Sequence, residues 1–207
     1  MSASGSGSTG GGRRFAAWMR WLHIYGSMLG LVALLFFSLT GITLNHPDWT
    51  FGGVRRQEEV AGALELAWVR AELPEERVGR LEVVEHLRRR HGVRGAVEEF
   101  RLDDREVLVA FKGPGYSADA FVDRETGAYR LIVVREGAVA LLNDLHKGRH
   151  TGRAWAWVID LSAVVMALIA ATGLALLLYL RRRRMGGLIA GVAGGVILGV
   201  IVRWLVP

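Results

Sequence analysis

The residues whose types and spacing suit chemistry are three histidines beside long apolar runs. His46 follows the run Ile24–Leu44, and His146 and His150 precede the run Leu161–Leu180. All three are expected at one membrane surface. Residues at i and i+4 share a face of a helix, so His146 and His150 point the same way if the second apolar helix begins early. Arg153, Trp157 and Asp160 then continue that stripe. A b-type haem takes one axial imidazole on each side of its plane. On this reading His46 faces His146 or His150 across a single haem b. Arg149 or Arg153 neutralises its propionates, Trp157 covers the macrocycle and Asp160 lies behind them. A rival is a metal site in which His46, His146 and His150, with a carboxylate such as Asp144, hold a zinc or copper ion. No glutamate separates His146 and His150 in the manner of H-E-x-x-H, so hydrolytic zinc chemistry is not implied. The plain alternative is interfacial, because Trp, His, Lys and Arg gather at headgroup depth. Pro47 biases His46 out of the α region, so a ligand there would sit at a helix end.

The other histidines separate by position. His23 and His46 bracket the first apolar run, and 23 residues of helix rise roughly 34 Å, too far for one shared ion. His23 is expected to stand alone at the inner side, which limits the chain to at most one haem unless a dimer or another subunit supplies a partner. His86 and His91 lie among Arg88, Arg89 and Arg90 and are expected on a solvated surface. Asp160 lies about 9 Å below Ala154 along the helix. An acid at such depth is costly unless it is paired or functional; Arg153, Tyr25 and Thr43 are its expected partners. No nucleophile–base pair, phosphate loop or dinucleotide fingerprint occurs. The absence of cysteine removes thiolate ligands, thiol nucleophiles and disulfides.

The elements that position these residues follow from how charge is distributed. The chain has 207 residues, 51% apolar and 22% charged, with net charge +6. Residues 1–45 hold three arginines and no acid, residues 46–153 hold 18 basic and 19 acidic residues, and residues 154–207 hold five arginines and one aspartate. Basic charge therefore flanks apolar runs, which disfavours a nucleic-acid surface. Ile24–Leu44, Leu161–Leu180 and Met185–Val202 are uncharged for 21, 20 and 18 residues, each long enough to cross a bilayer. Arg13-Arg14 faintly resembles a twin-arginine signal. The first run is too long for a signal core and lacks a small-x-small cleavage site, so an uncleaved anchor is expected. Arg13, Arg14 and Arg20, with Arg181–Arg184, place those flanks in the cytoplasm. The N-terminus is then cytoplasmic and residues 47–153 extracytoplasmic, in a multi-pass protein of a bacterial inner membrane.

The expected organisation is a disordered tail over 1–17, a transmembrane helix over 18–46 and an α+β domain over 47–143. A juxtamembrane histidine segment with the second transmembrane helix covers 144–181, and the third helix covers 185–204. Within the domain, Pro74 to Gly92 reads as a helix. Alternating runs at 96–102, 106–112, 118–122 and 129–134 read as strands of an antiparallel meander. Gly187, Gly191, Gly195 and Gly199 form an i,i+4 row for close helix packing, against Gly26 and Gly30 of the first helix or against a second copy.

The run Ala120-Phe121-Val122-Asp123-Arg124-Glu125-Thr126-Gly127, after a helix and two strands, resembles the last hairpin of the PepSY domain. Trp21-Leu22-His23-Ile24-Tyr25-Gly26, Leu39-Thr40-Gly41, Leu145-His146-Lys147-Gly148-Arg149-His150-Thr151-Gly152, Trp157-Val158-Ile159-Asp160-Leu161 and Thr172-Gly173-Leu174 resemble the PepSY-associated transmembrane-helix family. The resemblance covers residues 18–180. It implies a membrane α-helical protein of three spans with an extracytoplasmic PepSY-like α+β domain between helices 1 and 2. Larger members include haem-bearing reductases of siderophore-bound iron. The resemblance thus implies a component of iron reduction or uptake, in which electrons arrive from a partner. The other implied role is a tethered PepSY binding or assembly module without a cofactor.

Overall fold

A computed structural model describes residues 9–46, 48–49, 55–180 and 182–206. Helix α1 spans Thr9–Asn45. Residues 9–17, expected in the tail, are therefore helical and continue the first span toward the N-terminus; residues 1–8 and Pro47 lie outside the described residues. Strand β1 (Arg56–Ala63) follows, then short 3-10 turns at Leu66–Trp68 and Glu75–Arg77, and α2 (Arg80–His91). Strands β2 (Ala96–Leu102), β3 (Glu106–Gly113), β4 (Tyr116–Asp123) and β5 (Ala128–Arg135) come next. Three helices complete the chain: α3 (Ala138–Lys147), α4 (Gly152–Tyr179) and α5 (Arg184–Leu205). Three stretches, Gly11–Asn45, Gly152–Tyr179 and Arg184–Leu205, are long and apolar enough to cross a membrane. The chain is accordingly a multi-pass membrane protein.

Two compact units divide the chain, one of residues 1–35 and 160–207 and the other of residues 36–159. The second holds a five-stranded antiparallel sheet of order β1-β5-β4-β3-β2. Strand β1 was not anticipated: Arg56-Gln57-Glu58-Glu59 lacks alternation, and the strand is held by pairing to β5 along an exposed edge. The period-2 pattern of the central strands does set one buried face. Val107, Val109 and Phe111 pair with Val122, Ala120 and Ala118, and these alanines pair with Leu131 and Val133. Large residues thus fill the space left by small ones, which is what close packing requires. Helix α2 lays Val83, Val84 and Leu87 on this face, each worth about 1.5–3 kcal/mol when fully buried. The expected helix from Pro74 is interrupted: Gly79 adopts a non-helical conformation, and α2 starts one residue later. Leu81, on the opposite side of α2, is 69% exposed.

Buried Arg124 closes the other end of the sheet. Its Nε donates to Val69 O at 3.0 Å and Nη1 to Asp103 O at 2.9 Å, while Nη2 reaches the carbonyls of Arg70, Ala71 and Leu73 at 3.1–3.3 Å. Five donors in a rigid fork suit a loop whose carbonyls converge.

In the first unit α1 and α4 pack closely. A Cβ on Gly30 would lie 2.8 Å from Ile169 Cδ1 and 2.9 Å from Val165 Cγ1. The Gly26/Gly30 face expected to meet the third helix is therefore occupied by α4. On α5, Gly187 meets Leu177, whereas Gly191, Gly195 and Gly199 meet nothing within 4 Å.

Candidate functional site: two histidine–threonine pairs

Two polar pairs cross between apolar helices. In the sheet-bearing unit, His146 Nδ1 on α3 lies 2.6 Å from Thr40 Oγ1 on α1. In the helical unit, His23 Nδ1 on α1 lies 3.0 Å from Thr172 Oγ1 on α4 and 3.1 Å from Ile169 O. Both threonines are buried. The chain order is exchanged between the pairs: α1 supplies the histidine of one and the threonine of the other. Each threonine is followed by glycine, and each histidine ring rests on that glycine. A Cβ would lie 3.6 Å from His146 Cε1 at Gly41 and 3.1 Å from His23 Cε1 at Gly173.

Proton counting assigns the tautomers. A threonine hydroxyl has one proton, and Thr40 donates it to Phe36 O at 2.6 Å. Thr172 donates its own to Leu168 O at 2.8 Å. With those protons on the helix carbonyls each oxygen accepts from its ring and Nδ1 carries the ring proton; a ring with a bare Nδ1 would take the hydroxyl proton instead. Ile169 O, which can only accept, enforces the same assignment for His23. Nε2 of each ring has no hydrogen-bond partner among the described residues. An imidazole oriented through Nδ1–H with Nε2 open is the arrangement of a ligand or a base. Around His146, Phe37 meets the ring edge-on at 5.3 Å and Phe36 contacts Trp155. Trp155 Nε1 donates to Leu145 O at 2.7 Å, and Thr43 donates to Asn143 Oδ1 at 2.7 Å.

The remaining expected site residues have other surroundings. Helix α3 ends at Gly148 in the left-handed region, and His150 has φ 55°. His146 and His150 thus belong to no common helix, and the stripe through Arg153, Trp157 and Asp160 is broken, because α4 restarts only at Gly152. His150 Nδ1 lies 3.5 Å from Glu98. His46 stacks on Trp49 with centroids 4.1 Å apart. Asp144 accepts from Gly115 N–H at 2.9 Å. Arg149 and Arg153 are exposed, and so is Trp157. Asp160 is exposed on α4 and makes no hydrogen bond or ion pair among the described residues. The pairing expected for it is not made: Thr43 is engaged by Asn143, and Tyr25 packs on Trp21. Among the described residues, no group of three or more histidine and carboxylate side chains is placed to hold a metal ion.

His23 and the two Thr-Gly steps carry weight that spacing alone did not reveal. The available signal was a repeat: Leu22-His23 with Thr40-Gly41, and Leu145-His146 with Thr172-Gly173.

On the sheet domain, His91 Nε2 and Tyr129 Oη share a hydrogen bond of 2.7 Å. Burial, with Arg90 and His86 nearby, pushes the His91 pKa down. Burial pushes the Tyr129 phenol up, so it keeps its proton.

No curated protein and no solved structure matches the chain. The PepSY_TM-like family pattern matches residues 17–207, nearly the whole chain and both histidine–threonine pairs. The chain belongs to the PepSY_TM-like family.

Proposed function

We propose that this is a haem-binding membrane PepSY protein, with His146 as an axial ligand, serving electron transfer or an accessory role in extracytoplasmic iron reduction or uptake. Its sheet domain, inserted between α1 and α4, lies outside a bacterial inner membrane and its N-terminus inside. The observation that carries the reading is the Thr40–His146 pair, in which Thr40 Oγ1 lies 2.6 Å from Nδ1 and holds the ring by that nitrogen. This leaves Nε2 of a fixed ring available to iron. His146 would supply one imidazole to the iron, with Phe37 beside its ring; a second ligand would have to come from His46, from His150 or from another subunit. Bound haem would supply one-electron chemistry; His146 would hold and orient it, with Phe37 against the imidazole and Phe36 behind Phe37. His23 offers a second imidazole of the same kind in the other unit.

The experiment is reconstitution of the purified full chain with haem b, followed by absorption spectra before and after dithionite. Sharp low-spin bands that disappear in His146→Ala are expected. Full loading in His146→Ala removes the assignment, and loss in His46→Ala identifies that residue as the second ligand. A tethered binding module is the second reading, favoured by the open edges β1 and β2, to which an extended peptide can add. A protein that stays colourless after haem supplementation favours that module.

A further inference from the structure

A cavity of about 660 Å³ opens at one end of the sheet, walled by His91, Arg94, Tyr116, Arg135 and His150 with glycines between them. Strand register explains the convergence. Tyr116 pairs with Arg135 across β4 and β5, and Arg135 pairs with Arg56 across β5 and β1. Side chains directly opposite in a sheet share a face, and Arg135 follows core residue Val133 by two, so all three lie on the side that α2 covers. The turn after α2 brings Arg94 to the same end, where its backbone N–H donates to Tyr116 Oη at 3.2 Å. Gly113 and Gly115 in the β3–β4 turn add no side chain that could fill the space.

Hydrogen-bond donors line this cavity without matching acceptors. Tyr116 Oη accepts from Arg94 N–H, and its own proton has no acceptor among the described residues. The Arg94 guanidinium makes no hydrogen bond or ion pair among them. Arg135 Nη1 lies 2.9 Å from Glu58 Oε2, and His150 Nδ1 lies 3.5 Å from Glu98 Oε2. Both pairs are partly exposed, and such pairs hold weakly. A guanidinium also has five N–H donors, more than one carboxylate takes up. Glu58, Glu98, Glu136 and Asp144 stand nearby, yet none lines the cavity, and Asp144 is committed to Gly115 N–H. Like charges directly opposite destabilise a sheet, and Arg56, facing Arg135, has no ion pair of its own among the described residues. An anion at this end of the sheet would offset that repulsion.

We propose that this cavity seats the phosphate group of a small organic phosphate, held by Arg94, Arg135 and the Tyr116 hydroxyl with His150 at its side. Donors that arrive from the turn after α2 and from two strands suit a tetrahedral group with several oxygens better than a planar carboxylate with two. The volume is that of a small-ligand site and exceeds one phosphate ion, which leaves room for the rest of an ester. No leucine, isoleucine, valine or phenylalanine lines the wall among the described residues, so an acyl chain gains nothing here. His150 stands two residues before α4, and the same phosphate chemistry therefore has two sources, a soluble ester and a lipid headgroup. The seat is independent of the haem assignment.

The test is isothermal titration of glycerol 3-phosphate into the full chain in detergent, with neutral glycerol as the control. Wild type should bind the phosphate ester and not glycerol. Arg94→Gln and Tyr116→Phe should each weaken binding about tenfold, since each removes a hydrogen bond to a charged group. Arg94→Lys should keep part of the affinity, and Arg77→Gln, which does not line the cavity, all of it. Arg94 is exposed, so the arginine series decides even if Tyr116→Phe loosens the turn. No binding by wild type, equal binding of glycerol, or unchanged affinity in Arg94→Gln would overturn the proposal. Nanodiscs of phosphatidic acid separate the two sources. Loss of glycerol 3-phosphate binding there identifies a lipid headgroup, and retained binding identifies a soluble ester.

Discussion

Replacing Thr40 with valine tests the tautomer assignment directly. Valine keeps the branched shape at a position only 4% exposed but removes the oxygen that accepts from His146 Nδ1–H. Phe36 O loses the hydroxyl bond, yet it retains its backbone partner within α1, so nothing is orphaned there. The cost falls on the imidazole. A buried donor left without an acceptor costs about 1–3 kcal/mol, while interhelical polar contacts in membranes average about 0.6 kcal/mol. Helix packing should therefore survive and ring order should not. If Nε2 binds haem iron, losing the residue that orients the ring should weaken affinity by about 10–100-fold. Histidine-selective nitrogen-15 NMR reads the tautomer, and haem titration reads the affinity. The expected result is a single Nδ1–H form in wild type and in Thr40→Ser, and a mixture in Thr40→Val with weakened haem. A pure Nδ1–H form with unchanged affinity in Thr40→Val would refute the reasoning, since another group would then be holding the ring.

Two further outcomes concern the sheet domain. Arg124→Met should destabilise it by about 2–4 kcal/mol, because five hydrogen bonds to converging carbonyls vanish together while that loop partly rehydrates; protease cleavage between Val69 and Leu73 should rise, and an unchanged unfolding midpoint would sink the argument. His91, whose folded pKa is pushed below its ordinary 6.5, binds fewer protons folded than unfolded just below that pH. Its contribution to stability is full above about pH 6.5 and declines as pH falls through the folded value. Denaturation midpoints from about pH 7 to about pH 5 should fall in wild type and flatten in His91→Gln; equal slopes would show that other groups carry the effect.

Much of the architecture was legible because it depends on local pattern. Uncharged runs of membrane length mark the spans, and two-residue alternation marks β2 to β5. Strand β1 was not legible, since an exposed edge strand needs no apolar alternation and is held by its register with β5. The break between α3 and α4 was half legible. Gly148 and Gly152 stand in the sequence as helix stops, but the stripe of histidine, arginine and aspartate at helical spacing ran straight through them. At the candidate site, His146 was legible as a polar residue beside a span, whereas its partner was not. Thr40 sits 106 residues away, and no local rule pairs them.

Composition and periodicity by themselves determined that this is a membrane chain with a charged α+β insert, because both are properties of a few consecutive residues. Only the tertiary structure decided which histidines are held by a partner on a neighbouring helix. Proximity at the outer end of the spans favoured His46, His146 and His150. Packing instead pairs His146 with Thr40 and His23 with Thr172, because a buried hydroxyl and a ring nitrogen on neighbouring helices satisfy each other. That pairing exists only once the helices are side by side.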